Sequence, residues 1–278
     1  MNRPGRRRSG WGTALTWAVL LIALAFFVLP VVWIGLMSFK SQGEVFTYPP
    51  VFWPKNINLR YFGAALHGIG GKALKDSAIV ASSSTAIALA VSVPTAYSIS
   101  RFRVGGKNLA MWILSIRMFP PIASAIPLFL LFQKFGMLDT YWALIIAYLT
   151  FNVPFIVWLV KGFFDDLPRD LEEAALVDGS SPWQAFVRIA LPLAVPGIIT
   201  SGLLAFMFAW NEFLLALFLT RSQVRTLPVG LSSLVGGHEI LWGQIGALAM
   251  MAILPVIILA VVLQRYIVRG LTLGAVKG

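Results

Sequence analysis

Residues 173–192 read EAALVDGSSPWQAFVRIALP, and this stretch carries the most specific pattern in the chain. It consists of Glu-Ala-Ala, three residues, Gly179, nine residues, and an Ile-x-Leu-Pro sequence that ends at Pro192. The stretch lies in the longest acidic region of a chain that is otherwise apolar and basic. The pattern predicts two short helices joined by a tight turn.

Helix-end residues flank both predicted helices. Asp170 is the predicted N-cap of the first helix, with Glu173 in the reciprocal position three residues later. Ser181 is the predicted N-cap of the second, followed by Pro182 at the first helical position and Gln184 closing the capping box. The sequence therefore predicts where each helix begins.

The first predicted helix has one face of small and mostly apolar residues. Leu171, Ala174, Ala175 and Asp178 recur at helical spacing. Small alanine side chains allow the backbone of another protein to approach closely. Gly179 is predicted to take the left-handed conformation that ends a helix.

Composition places the chain in a membrane. Charged residues make up 12% of the sequence, about half the usual share in soluble domains, and the mean hydropathy is +0.82. Six stretches are long enough to cross a hydrocarbon core, which takes roughly 20 apolar residues. These stretches are residues 9–39, 77–100, 108–133, 140–160, 189–220 and 240–264. The predicted fold is an all-α polytopic bundle of six transmembrane helices.

The distribution of lysine and arginine favours cytoplasmic termini. With the N-terminus inside, 13 of the 22 basic residues face the cytoplasm: Arg3, Arg6, Arg7, Arg8, Arg101, Arg103, Lys107, Lys161, Arg169, Arg188, Arg265, Arg269 and Lys277. The net charge of +11 is thus explained by topology and by anionic lipid headgroups, without nucleic acid. The first apolar run is too long for a signal peptide and is expected to remain as an uncleaved span.

The pattern in residues 173–192 resembles the EAA loop of permease subunits in ATP-binding-cassette (ABC) importers. The resemblance implies a type I ABC importer permease fold, with residues 73–278 as its core and residues 161–192 as a cytoplasmic loop. Residues 1–72 then form the N-terminal tail, the first helix and an external loop. In this family the short helix of the loop binds the ATP-hydrolysing subunit, which assigns ATPase coupling to the matching residues Glu173, Ala174, Ala175, Asp178, Gly179, Ile189, Leu191 and Pro192.

Two further stretches resemble the carbohydrate-type permeases, residues 209–217 (AWNEFLLAL) and residues 264–278 (QRYIVRGLTLGAVKG). Such subunits assemble with a second, non-identical permease, two copies of a cytoplasmic ATPase and an external solute-binding protein. The resemblance therefore implies import of a sugar, a polyol or an anionic sugar derivative across the bacterial inner membrane. It also implies that this chain needs no cofactor and does not itself hydrolyse ATP.

Polar residues within the predicted spans are candidates for the substrate pathway. Arg117 lies in the third span, Asn152 in the fourth, and Asn211 and Glu212 in the fifth. A charge at membrane depth costs about 2.5–3.5 kcal/mol on insertion scales, so such groups normally face a cavity or a partner. Asn152 could instead join helices by hydrogen bonding, and Glu212 could pair with a basic residue of the second permease.

The main alternative is a self-sufficient secondary transporter or channel, which predicts inverted repeats and a relay of intramembrane carboxylates. The sequence shows no repeat, and Glu212 is the only carboxylate within a span. A membrane-bound enzyme would have to use the acidic group Asp165, Asp166, Asp170, Glu172, Glu173 and Asp178, which is better explained as a docking surface. The chain has no ATP-binding P-loop, no cysteine, and no metal-ligand neighbours around His67 or His238.

Overall fold

The computed structural model of the protein describes residues 10–106, 108–235 and 240–273. Several residues discussed above lie outside these ranges: Arg3, Arg6, Arg7, Arg8, Lys107, His238 and Lys277.

Every regular element in the described residues is helical. In chain order the α-helices are α1 (Gly10–Met37), α2 (Gln42–Val45), α3 (Arg60–His67), α4 (Ile69–Phe102), α5 (Leu109–Ser115), α6 (Pro121–Lys134), α7 (Tyr141–Asp166), α8 (Asp170–Val177), α9 (Pro182–Ala185), α10 (Leu191–Trp210), α11 (Leu214–Leu219), α12 (Leu227–Ser233) and α13 (Trp242–Leu273). A short 3₁₀ turn, Ile116–Met118, follows α5, and a π-helical segment, Phe186–Ala190, joins α9 to α10.

The described helices account for the six predicted spans. Five are long and apolar enough to cross a membrane, and the sixth is a broken pair, Leu109–Met118 and Pro121–Lys134, bent by 87°. The sequence Met118-Phe119-Pro120-Pro121 and, further along, Pro127 predict breaks in this third span, because proline donates no backbone hydrogen bond. The bend falls at Pro120 and Pro121 as predicted, but the predicted break at Pro127 is wrong, since α6 continues through it. The all-α membrane bundle is confirmed, and its third span is bent by nearly a right angle.

Helices α4, α7 and α10 form the centre of the bundle. On α4 the small residues Ala81, Ser84 and Ala88 are fully buried, which allows the neighbouring helices to approach closely. Tyr148 of α7 is buried in the same core. In contrast, α1 packs mainly against α13 and leaves side chains such as Phe26 72% exposed, a surface suited to lipid or to a partner subunit.

The two ends of α4 define the two ends of the bundle, here called the Asp76 end and the Arg101 end. At the Asp76 end, Asp139 holds the turn that follows α11. Its carboxylate accepts hydrogen bonds from the backbone amides of Arg221 (2.9 Å), Ser222 (3.0 Å), Gln223 (2.8 Å) and Val224 (3.0 Å). Burial raises the pKa of Asp139, but these four amides outweigh it and lower that pKa to about 2.

A second carboxylate fixes the same end of the bundle. Asp76 is buried and accepts hydrogen bonds from the Tyr141 hydroxyl (2.7 Å) and from the backbone amide of Arg225 (2.8 Å). The Ser77 hydroxyl accepts a hydrogen bond from the Leu227 amide at 2.7 Å. The segment between α11 and α12 is therefore bound through its own backbone to α4 and to the turn that precedes α7.

We expect Asp139→Asn to destabilise the protein by about 1–3 kcal/mol, because the hydrogen bonds at Asp139 are made to a charged acceptor. The folded-state pKa lies below the usual value for aspartate, so this stabilisation is present above about pH 4 and is lost as the pH falls toward 2. Thermal unfolding in detergent should show a gap between wild type and variant that persists from pH 7 to pH 4 and narrows below it. Asp166→Asn, at an exposed carboxylate, is the control. A gap that is absent at pH 7 would contradict the prediction.

Candidate functional site

The 170–192 segment forms the predicted pair of short helices. Gly179 ends the first with φ of +88°, in the left-handed region. The capping box of the second is confirmed: the Ser181 amide donates to the Gln184 side chain at 2.8 Å, and the Gln184 amide donates to the Ser181 hydroxyl at 3.3 Å. Pro182 occupies the first helical position.

The start of α8 differs from the prediction. Arg169 already has helical dihedral angles, and its carbonyl accepts hydrogen bonds from the amides of Glu172 and Glu173. Asp170 is therefore the first residue of the helix, and the predicted Asp170 cap with Glu173 in the reciprocal position is wrong. The helix begins one residue earlier than predicted, and Glu172 lies on its buried face.

The second short helix is continuous with a membrane span. Residues Pro182–Trp210 form one helical span of 29 residues, so Ile189, Leu191 and Pro192 lie inside a helix and not at the entrance to one. Proline cannot donate a backbone hydrogen bond, and the π-helical turn Phe186–Ala190 lies immediately before Pro192. The helix is thus continuous from α9 into α10, with the π-helical turn and Pro192 marking the place between them where it is most easily bent.

The outer surface of α8 and α9 is apolar and exposed. Leu176, Val177 and Trp183 are 43%, 87% and 67% exposed, respectively. The small Ala174 lies on the exposed surface of α8, and Glu173 beside it is exposed as well. Exposed apolar surface edged by charge is typical of a protein docking site.

The opposite side of α8 is anchored by a buried ion pair. Glu172 accepts hydrogen bonds from the Tyr97 hydroxyl at 2.6 Å and from Arg101 Nε at 2.8 Å, and Arg101 Nη2 lies 2.7 Å from its carboxylate. In the sequence, Glu172 is only one of six acidic residues between positions 165 and 178. Tyr97 and Arg101 lie one helical turn apart beside an acidic helix, but this spacing alone does not identify their partner.

A second candidate site is a cavity of about 620 Å³ within the bundle. It is enclosed by residues from the broken third span, α7, α10 and α11. Its lining comprises Trp112, Ser115, Ile116, Arg117, Phe119, Pro121, Ser124, Leu128, Thr150, Phe151, Phe208, Glu212 and Leu215. The aromatic members of this lining are functional candidates that the sequence analysis did not identify.

Arg117 is held in this cavity by two aromatic rings. Its guanidinium carbon lies 4.4 Å from the ring centroid of Phe155 and 4.3 Å from that of Phe208. Among the described residues, no carboxylate lies within ion-pair distance of Arg117. The two ring centroids are themselves only 5.2 Å apart, with an interplanar angle of 81°, so the rings contact the guanidinium from adjacent directions and do not sandwich it. Within the part of the chain that the structure describes, none of its N–H donors binds a protein oxygen, which leaves these donors available.

The other three pathway candidates take different positions. Glu212 lines the cavity, and its carboxylate accepts hydrogen bonds from the amides of Leu215 (2.8 Å) and Ala216 (3.1 Å) at the start of α11. Asn211 is exposed and donates to the Met207 carbonyl at 2.8 Å. Asn152 is fully buried behind the cavity lining, and within the described structure its side-chain amide has no hydrogen-bond partner. The structure thus brings Arg117 and Glu212 together and leaves both asparagines off the lining.

Comparison with known proteins identifies the family. Residues 84–273 match the model of the family described as the binding-protein-dependent transport system inner membrane component. The chain belongs to this family. The match includes the whole 170–192 segment and both of the cavity residues Arg117 and Glu212.

Similar proteins agree with this membership. A probable ABC transporter permease of Sinorhizobium fredii is 36% identical over 268 residues, which is 95% of each chain. A trehalose transport system permease of Mycobacterium tuberculosis is 36% identical over 271 residues, or 95% of this chain and 98% of that one. Among solved structures, a chain of a bacterial ABC transporter involved in import of the acidic polysaccharide alginate superposes with a TM-score of 0.74 at 27% identity, covering 95% of this chain and 99% of that one.

Family membership makes this chain a multi-pass ABC transporter permease with the type I importer fold. Its relatives are transport subunits, and the predicted EAA motif of the family is present at residues 173–192. A secondary transporter or channel is not favoured.

We expect Gly179→Val to distort the turn after α8, since a left-handed conformation costs a side-chain-bearing residue about 1–2 kcal/mol. A Cβ at Gly179 would meet no heavy atom within 4 Å among the described residues, so the cost is conformational and not steric. Gly179→Asn is the matched variant, because asparagine tolerates this conformation. Limited proteolysis of the permease should cleave the 170–192 segment faster in the valine variant only. Equal cleavage rates in the two variants would contradict this.

Proposed function

We propose that this permease forms half of an ATP-driven import pathway for a sugar or sugar-like solute, and that its 170–192 segment binds a separate ATPase. The observation that carries the proposal is the construction of that segment. An exposed docking surface on α8 and α9 continues without a break into the membrane helix α10. Force applied to the segment can therefore reach the spans.

The proposal assigns coupling to the residues of the EAA pattern. Glu173, Ala174 and Ala175 contact the ATPase, and Asp178 and Gly179 set the angle between α8 and α9. Ile189, Leu191 and Pro192 carry the movement into α10. The exposure of Glu173 and Ala174, and the continuity of the helix through Pro192, support these roles.

The complete transporter, in this proposal, contains a second homologous permease as a heterodimeric partner, two copies of the ATPase and an external solute-binding protein. The Arg101 end faces the cytoplasm, as do both termini, because that orientation places 13 of the 22 basic residues inside. The exposed apolar side chains of α1 support contact with lipid or with the second permease. Residues 1–72 lie outside the permease core, which spans residues 73–278.

A carbohydrate is the proposed substrate class. The trehalose permease and the alginate transporter among its similar proteins both handle carbohydrates. The cavity combines aromatic faces, on which sugar rings can stack, with the hydrogen-bonding groups of Arg117, Thr150 and Glu212. Arg117 and Glu212 are proposed to contact the solute or gate its passage, while Asn152 and Asn211 support the surrounding helices.

Reconstitution tests the coupling. With the second permease, the ATPase and the binding protein in proteoliposomes, we expect solute uptake that requires ATP. Glu173→Lys should weaken ATPase binding by about 2 kcal/mol or more, a factor of about 30, because it reverses a charge at the interface. Co-purification of the ATPase with the permeases measures this effect.

Asp166→Lys is the matched control, since it reverses an exposed carboxylate at the same end of the bundle but outside α8. It should leave ATPase association and uptake near the wild-type level. Uptake by the permeases without the ATPase would support a secondary transporter instead. Normal ATPase association and normal uptake with Glu173→Lys would mean that the 170–192 segment only connects two spans and does not couple them to the ATPase.

The pathway assignment has its own test. Arg117→Ala should lower uptake by roughly 10- to 150-fold, because a hydrogen bond from a charged donor contributes about 1.5–3 kcal/mol. ATPase association should be unchanged, since Arg117 lies far along the helices from α8. Asn152→Ala should have a smaller effect, and Lys134→Ala, at an exposed cation that ends α6, is the control. Unchanged uptake rate and substrate preference in both the Arg117 and Asn152 variants would refute the assignment.

A further inference from the structure

The 170–192 segment is connected to the bundle twice. One connection is covalent, from α9 into α10. The other is the buried ion pair between Glu172 of α8 and Arg101 at the end of α4, whose side chains are only 9% and 7% exposed. The function proposed above uses the first connection and gives no role to the second.

Arg101 joins three helices at one point. Besides the Glu172 carboxylate, its guanidinium donates to the backbone carbonyls of Phe164 (2.7 Å) and Leu167 (3.3 Å), where α7 ends. Carbonyls at a helix C-terminus lack partners within the helix and favour a positive charge. One side chain therefore ties the ends of α4 and α7 to α8.

Neighbouring contacts reinforce this junction. Arg169, just before α8, donates to the Ser100 carbonyl at 3.1 Å. The Ser100 hydroxyl donates to Asp165 of α7 at 2.5 Å, and Asp165 also pairs with Lys161. The ends of α4 and α7 and the start of α8 thus form one hydrogen-bonded unit.

Tyr97 connects this junction also to the helix that follows the Gly179 turn. Its hydroxyl binds Glu172, and its ring lies 4.5 Å from that of Phe186, centroid to centroid, and 5.4 Å from that of Phe164. Phe186 begins the π-helical turn after α9. Both α8 and the helix that follows the Gly179 turn are therefore packed against the same turn of α4.

We propose that Tyr97, Arg101 and Glu172 are positioning residues that transmit movement of the ATPase-bound α8 to α4 and α7, and that transport depends on this second route. This inference rests on the proposed function of the segment. Without the ion pair, the described contacts of α8 with α4 and α7 are reduced to its covalent connection through residues 167–169, the Arg169 hydrogen bond and, where Glu172 is kept, the Tyr97 hydroxyl. Helix α8 could then tilt with the ATPase while the central helices stayed in place.

The test separates ATPase binding from transport. In the reconstituted four-component transporter, Glu172→Ala and Arg101→Ala should each lower solute transported per ATP hydrolysed by roughly 2- to 30-fold, the range seen for positions that carry coupling between sites. The ATPase should still co-purify, because the exposed face of α8 is unchanged. The double variant should be no worse than the more severe single variant, since the two residues act as a pair.

Two further variants sharpen the result. Glu172→Gln preserves volume and a hydrogen-bond acceptor, so it should assemble normally and show a smaller loss of coupling. Asp170→Ala, which removes an exposed carboxylate from the same helix, should transport as efficiently as wild type. Wild-type transport per ATP in the Glu172→Ala, Arg101→Ala and Glu172→Gln variants would overturn the proposal, as would loss of the ATPase from them.

A chemical bridge provides an independent measurement. The chain contains no cysteine, so Arg101→Cys combined with Glu172→Cys introduces just two thiols, which a short bifunctional thiol reagent can join. The other subunits of the transporter are used in forms that lack reactive cysteines. Bridging should restore the transport per ATP that the unbridged double variant has lost, and a bridged complex that stays uncoupled would overturn the inference. Failure of the proposed function is distinguishable, because the wild-type complex itself would then show no ATP-dependent uptake.

Discussion

A backbone N–H or C=O group has no water to bind inside a bilayer, and this constraint determines where the helices of this permease can stop. Between α10 and α11, Glu212 accepts hydrogen bonds from two free amides and Asn211 donates to a carbonyl of the preceding turn. In the third span the break falls at Pro120 and Pro121, which have no amide hydrogen to satisfy. Both breaks border the cavity, so the irregular backbone lies beside the proposed solute pathway.

The same constraint explains how the few acidic residues are used. Asp76 and Asp139 bind backbone amides at one end of the bundle, and Glu212 does so beside the cavity. Glu172 neutralises Arg101 at the other end. These four carboxylates hold helix ends or turns, whereas Asp166, Asp170 and Glu173 near α8 are exposed at the surface, where the proposed docking uses Glu173.

Local signals in the sequence were sufficient for much of the fold. Gly179, the Ser181 capping box and the interruption at Pro120 depend on residues close in the chain, and all three are present in the structure. The pairing of Arg101 with Glu172 joins residues 71 positions apart, and no periodicity marks a buried carboxylate on a short helix. The cap predicted at Asp170 failed for the same reason, because tertiary contacts of Glu172 and Arg169 fix the start of α8.

The surroundings of Arg117 determine which groups of a solute its guanidinium could bind in the proposed pathway. Contact with Phe155 and Phe208 holds the guanidinium in place, and within the described residues none of its N–H donors binds a protein oxygen. Those donors can bind a sugar hydroxyl, but they bind a carboxylate more strongly through charge-assisted, bidentate hydrogen bonds, so Arg117 admits both and favours an acidic carbohydrate. Selection of a neutral carbohydrate would then depend on the other cavity walls, on the second permease or on the binding protein that delivers the solute. A donor that admits both hydroxyl and carboxylate groups is compatible with similar proteins that are named for trehalose transport and for import of the acidic polysaccharide alginate.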